Sequence, residues 1–229
     1  MDTARKVLVL QHQDDDPPGN LASWLDAQEI DWQLIDLSVD QLPPPARRRA
    51  LVVLGSRESV LHPVAPWAQP EREFVQAEIG LGTPVLGICY GAQLLAQVLG
   101  GQVHRSSEPE RGWTEIAPKA IKAPLEEAVA GCWFEWHEDA ITLPPQARLL
   151  AQNRHVQAFS HGRHLGVQFH PEITSEQISA WMASEQRQRK LEEAGDQPED
   201  LLQMTAAQHL NAERSAARLY ETFLNAADS

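Results

Sequence analysis

Cysteine is scarce in this chain: Cys89 and Cys132 are the only two among 229 residues. Two thiols make no disulfide framework, and a reducing, cytoplasmic setting is expected. Long apolar runs are also missing, none approaching the ~20 residues of a helical membrane span. The opening residues, Met1-Asp2-Thr3-Ala4-Arg5-Lys6, lead into a brief apolar run without a cleavage-site pattern, so no signal peptide is expected. Basic residues are outnumbered, 19 Lys and Arg against 32 Asp and Glu, for a formal net charge of −13. That balance disfavours nonspecific binding to nucleic acid or to an anionic membrane. Internal repeats, a second-domain linker and a Walker-type phosphate loop are all absent. One domain over 1–229, with no cofactor, is the expectation.

What is present alternates in texture. Val7-Leu8-Val9-Leu10 and Ala50-Leu51-Val52-Val53-Leu54 read as buried strands, and Trp32–Leu37 as a weakly alternating one. Between them, Asp14-Asp15-Asp16 reads as a solvated loop and Asn20 as the N-cap of a helix through Gln28. Arg47-Arg48-Arg49 reads as a solvated helix end, and Glu71–Leu81 as an amphipathic helix closed by Gly82. Strands alternating with helices predict an α/β fold: an open, mostly parallel, flavodoxin- or Rossmann-like sheet with helices on both faces. From Gln102 to Gln168, Gly112–Ile116, Ala147–Ala151 and Val156–Phe159 predict antiparallel strands added to the sheet edge. Residues 175–229 read as a C-terminal helical extension, interrupted near Gly195–Pro198. Its apolar positions are Leu201, Leu202, Met204, Leu219, Phe223 and Leu224.

The chemistry gathers at Pro84-Val85-Leu86-Gly87-Ile88-Cys89-Tyr90-Gly91-Ala92-Gln93. An apolar strand stops at a cysteine between two glycines, and a helical pattern starts at once, which is a nucleophile elbow with sulfur in place of serine oxygen. A thiolate at a helix start is favoured by the unpaired N–H groups and the dipole there. On the pentapeptide alone, a buried structural cysteine is an equally good reading. Leu165–Phe169, another strand, runs into His170-Pro171-Glu172. His170 supplies a candidate base at a strand end, and Glu172 a carboxylate two residues on to orient it. Cys132, beside Trp133, reads as inert filler. His137, His155, His161 and His164 lack metal-ligand spacing, and no metal site is expected from them.

Taken together, Gly87–Gln93 and Gly166–Glu172 resemble the class I (triad) glutamine amidotransferase family, in particular stand-alone proteins similar to the glutaminase domain of GMP synthase. The likeness extends to Leu54-Gly55-Ser56, Glu110–Trp113, Trp136–Asp139 and Gln157–Gly162. The resemblance implies that Cys89 attacks a γ-carboxamide, that His170 shuttles the proton and that Glu172 orients His170. It implies a γ-glutamyl thioester resolved by water, with the Tyr90 amide and the Gly55-Ser56 loop forming the oxyanion hole. Gln93 and the segment around Trp136 and His137 are implied to hold the amino-acid end of the substrate. Two departures stand out. Ser56 occupies a place where the family usually carries glycine, and a glycine-only conformation there would be strained. Trp136 replaces the more usual small serine, which alters the pocket's shape.

Glutamine, or another small γ-glutamyl molecule, is therefore the expected substrate, and a separate synthetase subunit a possible partner for the ammonia. Hydrolysis of γ-glutamyl peptides or conjugates is one alternative. A non-catalytic binding module that keeps the fold is another.

Overall fold

A computed structural model describes residues 6–118, 121–193 and 195–228. Residues 1–5, read above for a leader, lie outside the described residues. The apolar runs form strands buried at every position: β1 (Val7–Gln11), β3 (Ala50–Val53) and β4 (Val85–Ile88). Between the first two in sequence comes β2 (Trp32–Asp36), half-buried. Because successive side chains leave a strand on opposite faces, these runs feed two cores. Val7, Val9, Ala50, Val52, Leu86 and Ile88 pack against α1 (Gly19–Ala27) and α7 (Pro198–Asp228). Leu8, Leu10, Leu51, Val53 and Val85 pack against α2 (Ala68–Gly80) and α3 (Tyr90–Val98). Each fully buried Val or Leu contributes roughly 1.5–3 kcal/mol, so covering both faces is what fixes this layering.

The seven-stranded sheet has the order β2-β1-β3-β4-β9-β8-β7, where β7 is Arg148–Gln152, β8 Val156–His161 and β9 His164–Val167. The five strands from β2 to β9 run parallel, and β8 and β7 are antiparallel additions. The predicted α/β architecture is therefore observed. One expected edge strand is not: Gly112–Ile116 belongs to β5 (Gln102–Ile116). That strand pairs with β6 (Gly131–Thr142) in a separate two-stranded ribbon, joined to the sheet edge by a bridge from Pro118 to Ala151. Trp113 and Phe134 of the ribbon find their apolar partners not in the sheet but among Ile173, Ile178, Trp181, Met182, Leu191 and Leu201. These come from the loop after β9 and from α5 (Ser175–Met182), α6 (Glu185–Glu193) and α7. A short α4 (Pro124–Ala128) joins the two ribbon strands.

Several local expectations are corrected by contacts distant in sequence. Asn20 lies inside α1 and caps nothing; its side chain donates to the Ile173 carbonyl (2.8 Å) and its amide to that of Glu172 (2.9 Å). Residues 41–48 are not helical, and Arg48 is buried beside Glu78 (3.5 Å) and over the Phe74 ring. The Asp14–Asp16 turn is not simply solvated, because Asp15 pairs with Arg57 and both Asp15 and Asp16 pair with Arg187. In α7, Leu219, Phe223 and Leu224 are buried as expected, whereas Leu202 and Met204 are exposed. Among the described residues, no helix is long and apolar enough to cross a membrane.

Candidate active site

Strand order decides which loops meet. β3, β4 and β9 are neighbours in parallel register, Val53 beside Gly87 and Gly87 beside Gly166. Their carboxyl ends therefore deliver Gly55-Ser56, Cys89 and His170 to one edge of the sheet, where open α/β sheets bind ligands. Cys89 sits between β4 and α3 with φ 51° and ψ −106°, a strained backbone for a residue with a side chain. The turn is possible because Gly87 and Gly91 flank it. A Cβ on Gly87 would lie 2.4 Å from the Gly91 carbonyl oxygen, and one on Gly91 would lie 2.0 Å from that of Val53. The Cys89 amide donates to the Val167 carbonyl (2.8 Å), tying the elbow to β9.

His170 and Glu172 follow β9 through a loop anchored at both ends. The His170 amide donates to the Phe134 carbonyl of the ribbon (2.8 Å). Past Glu172, Thr174 and Gln177 form a reciprocal capping box that starts α5. Between these anchors His170 Nδ1 lies 2.7 Å from Glu172 Oε1, both side chains buried. His170 Nε2 is buried without a hydrogen-bond partner among the described residues. Gly55 fits in the angle between base and thiol: a Cβ there would lie 3.1 Å from His170 Cε1 and 3.8 Å from Cys89 Cβ. Burial alone drives the imidazole toward neutrality, but Glu172 and Cys89 outweigh it and raise the His170 pKa well above 6.5. The set amounts to a thiol, an imidazole able to take its proton, and a carboxylate that fixes the imidazole through Nδ1.

A cavity of about 250 Å³ opens over Cys89, and Ser56, Tyr90, Gln93, Trp136, His137 and His170 line it. Ser56 is not among the residues with positive φ, so the serine sits there without left-handed strain, and its Oγ accepts from the Glu58 amide (3.1 Å). Gln93 is buried and its amide reaches Gln168 Oε1 (3.4 Å). The Trp136 carbonyl lies 3.9 Å from Cys89 Sγ, and the Trp136 ring lies beneath the Arg111 guanidinium and edge-on to Trp181.

Both ring nitrogens of His137 are engaged, Nδ1 donating to the Asp139 carbonyl (3.0 Å) and Nε2 lying 3.1 Å from both Glu110 and Glu135. Burial opposes charge on this ring, yet the hydrogen bonds to Glu110 and Glu135 push its pKa up to about 9. These three residues bring ligand atoms within 4.8 Å of one another, a grouping that the spacing of the histidines did not reveal. An imidazolium shared between the two carboxylates accounts for it. Cys132 lies on the ribbon, and burial together with Glu115 pushes its thiol pKa up.

Sequence reasoning missed the charged rim of the cavity: Asp16, Arg57, Arg105, Arg187 and Lys190. Burial pushes the Asp16 carboxyl pKa up against the pull of Arg187 and His170. Arg187 lies 4.1 Å over the Trp181 ring, and Lys190 reaches Glu138 (2.7 Å). These contacts join α6 to the ribbon and to the Asp14–Asp16 turn, and no local pattern announces them. Also missed was a buried cluster of His12, Glu71 and Tyr90 behind Gly55. Its one sequence signal was a histidine just past the carboxyl end of a buried strand.

The family model "Glutamine amidotransferase class-I" matches residues 50–186, a span that holds Gly55 through Glu172. The chain is 39% identical over 134 residues to GMP synthase (glutamine-hydrolyzing) of Thermus thermophilus, covering 56% of this chain and 25% of that protein. It is 40% identical over 142 residues to the same-named protein of Aeropyrum pernix, covering 59% and 27%. The chain thus spans about a quarter of the length of these curated relatives. In fold it is similar to a glutamine amidotransferase from Methylobacillus flagellatus, with a TM-score of 0.87, 24% identity, and 97% and 95% of the two chains covered. A glutamine amidotransferase from Thermotoga maritima gives 0.84, 23%, and 98% and 99%. With the family model matched over the elbow, the ribbon and the strand that leads to His170, this chain belongs to the class I glutamine amidotransferase family.

Proposed function

We propose that this protein hydrolyses a γ-glutamyl amide, converting glutamine to glutamate and ammonia, with Cys89 as nucleophile, His170 as base and acid, and Glu172 as the residue orienting His170. The observation that carries the reading is the meeting of a strained elbow thiol with a buried His170–Glu172 pair at one edge of the sheet. Strain of this kind persists where surrounding packing enforces it, and it gathers at working sites.

In the proposed reaction His170 Nε2 takes the thiol proton and the sulfur attacks the γ-carbonyl carbon. The N–H groups of Tyr90 and Ser56 receive the charge that develops on oxygen. The C–N bond breaks as His170 returns the proton to the departing ammonia. Water, activated by the same imidazole, then attacks the thioester, releases glutamate and restores the thiol. Gln93 and the backbone at Trp136 and His137 hold the α-amino and α-carboxylate end. The ammonia passes to a separate synthetase subunit; the names of the relatives, GMP synthase (glutamine-hydrolyzing), support this part of the proposal.

One observation favours a second substrate. The cavity continues from Cys89 to Gln186, Arg187 and Lys190 of α6, which leaves charged groups to meet whatever lies beyond the scissile amide. A γ-glutamyl peptide or conjugate would use them. The experiment is to supply the pure protein with glutamine and with a panel of γ-glutamyl dipeptides and to measure glutamate release. Glutamine is expected to be turned over fastest; a preference for dipeptides selects the second reading, and no release from any compound rejects both.

A further inference from the structure

We infer that His12, braced by Glu71, is a positioning residue for the oxyanion hole: it pins the Gly55–Ser56 peptide so that the Ser56 N–H faces Cys89. The inference rests on the hydrolytic reading above and adds a residue that no motif pointed to. His12 follows β1, the neighbour of β3, and so arrives behind the loop that follows β3. Its Nδ1 donates to the Gly55 carbonyl oxygen (2.8 Å), and its Nε2 to Glu71 Oε1 (2.7 Å). Tyr90 donates its hydroxyl to the other carboxylate oxygen of Glu71 (3.1 Å). All three side chains are buried, and the Trp67 and Tyr90 rings close on the imidazole at 4.6 and 4.9 Å.

The geometry of a peptide bond supplies the link to chemistry. The Gly55 carbonyl and the Ser56 N–H belong to one planar trans unit, so they point in opposite directions. Holding the carbonyl toward His12 turns the N–H to the other side, where Ser56 lines the cavity with Cys89 and His170. One carboxylate therefore braces both residues that supply the proposed donors: Gly55-Ser56 through His12, and Tyr90 directly. An ion pair buried this deeply is a poor way to stabilise a fold, since apolar replacements often do as well. A role in orienting the donors accounts for its place. The raised pKa of His12, where Glu71 and the Gly55 carbonyl overcome the opposing effect of burial, accords with an imidazolium that donates from both nitrogens.

The test compares two amides at position 12. In His12→Asn the amide nitrogen can take the place of Nδ1 and keep the bond to Gly55, whereas His12→Gln reaches Glu71 and loses it. Loss of one oxyanion donor lowers kcat by about 10²–10³-fold. We expect that loss in H12Q with KM changed less than about threefold, and H12N within about tenfold of wild type. Alkylation of Cys89 by iodoacetamide forms no oxyanion and should proceed at the wild-type rate in both. The double variant H12L/E71L, which removes the charges together, should lose at least as much kcat as H12Q and serves if H12Q fails to fold. Equal losses in H12N and H12Q, or wild-type turnover in H12Q or the double variant, overturn the inference. If the wild type itself releases no glutamate, the hydrolytic reading fails, and a crystal structure of H12Q decides the pinning. A Gly55 carbonyl turned away from residue 12 supports it, and an unchanged one overturns it.

Discussion

Replacing Glu172 with glutamine keeps the volume of the side chain and removes the charge that faces His170. The two groups meet at 2.7 Å and both are buried, so water screens the pair little. Unit charges centred about 4 Å apart interact by about 4 kcal/mol at an effective dielectric of ~20. If the imidazolium in the transition state loses that stabilisation, turnover falls by about 10³-fold, since ~1.4 kcal/mol is one decade in rate. Neutralising the acid of an analogous triad costs about 10⁴-fold, which brackets the figure from above. The sign of a second effect also follows. Without the carboxylate, one of the two groups that offset burial is gone and the His170 pKa drops, so less imidazolium is present at neutral pH beside the Cys89 sulfur. Glutamate release gives the first number, and iodoacetamide alkylation at pH 7, which should slow, gives the second. Turnover within tenfold of wild type in a folded Glu172→Gln variant would refute the orienting role.

Other perturbations test other parts of the account. Cys89→Gly should be more stable than Cys89→Ala by about 1 kcal/mol in denaturant unfolding, because only glycine takes φ 51°, ψ −106° without strain; equal stabilities would mean the elbow is unstrained. Ser56→Gly should leave turnover within about threefold, since Ser56 does not adopt a positive φ; a tenfold rise would show that serine impairs the hole. His137, with a folded pKa of about 9 against an ordinary 6.5, stabilises the fold fully below about pH 6.5 and loses that contribution as pH rises through about 9. The difference in unfolding free energy between wild type and His137→Gln should therefore shrink by up to about 3 kcal/mol between pH 6 and pH 10. A difference that does not change with pH would contradict the imidazolium shared by Glu110 and Glu135.

The parallel sheet was legible because its strands are buried on both faces, so Val7–Leu10, Ala50–Val53 and Val85–Ile88 read as unbroken apolar runs. The elbow was legible for a local reason too: glycines at 87 and 91 are what the close approach of backbone to backbone demands. The ribbon was not, because Trp113 and Phe134 alternate like any edge strand, and the apolar partners that draw them off the sheet lie some 40 to 90 residues further along the chain. Asn20 has the right chemistry for a cap, but Ile173 claims its side chain. Arg48 reads as surface until Glu78 and Phe74 of α2 enclose it. In the site, sequence pattern brought out the atoms proposed to react, whereas the His12–Glu71 pair behind Gly55 and the Arg187–Asp16 pair at the rim depend on pairings that no spacing encodes.

The most direct test of the central claim is a rapid acid quench of the protein mixed with excess glutamine, followed by mass spectrometry of its peptides. The account predicts a γ-glutamyl thioester on the peptide that carries Cys89 and none on the peptide that carries Cys132. Steady glutamate release with no acyl group ever found on Cys89, and undiminished in Cys89→Ala, would contradict it.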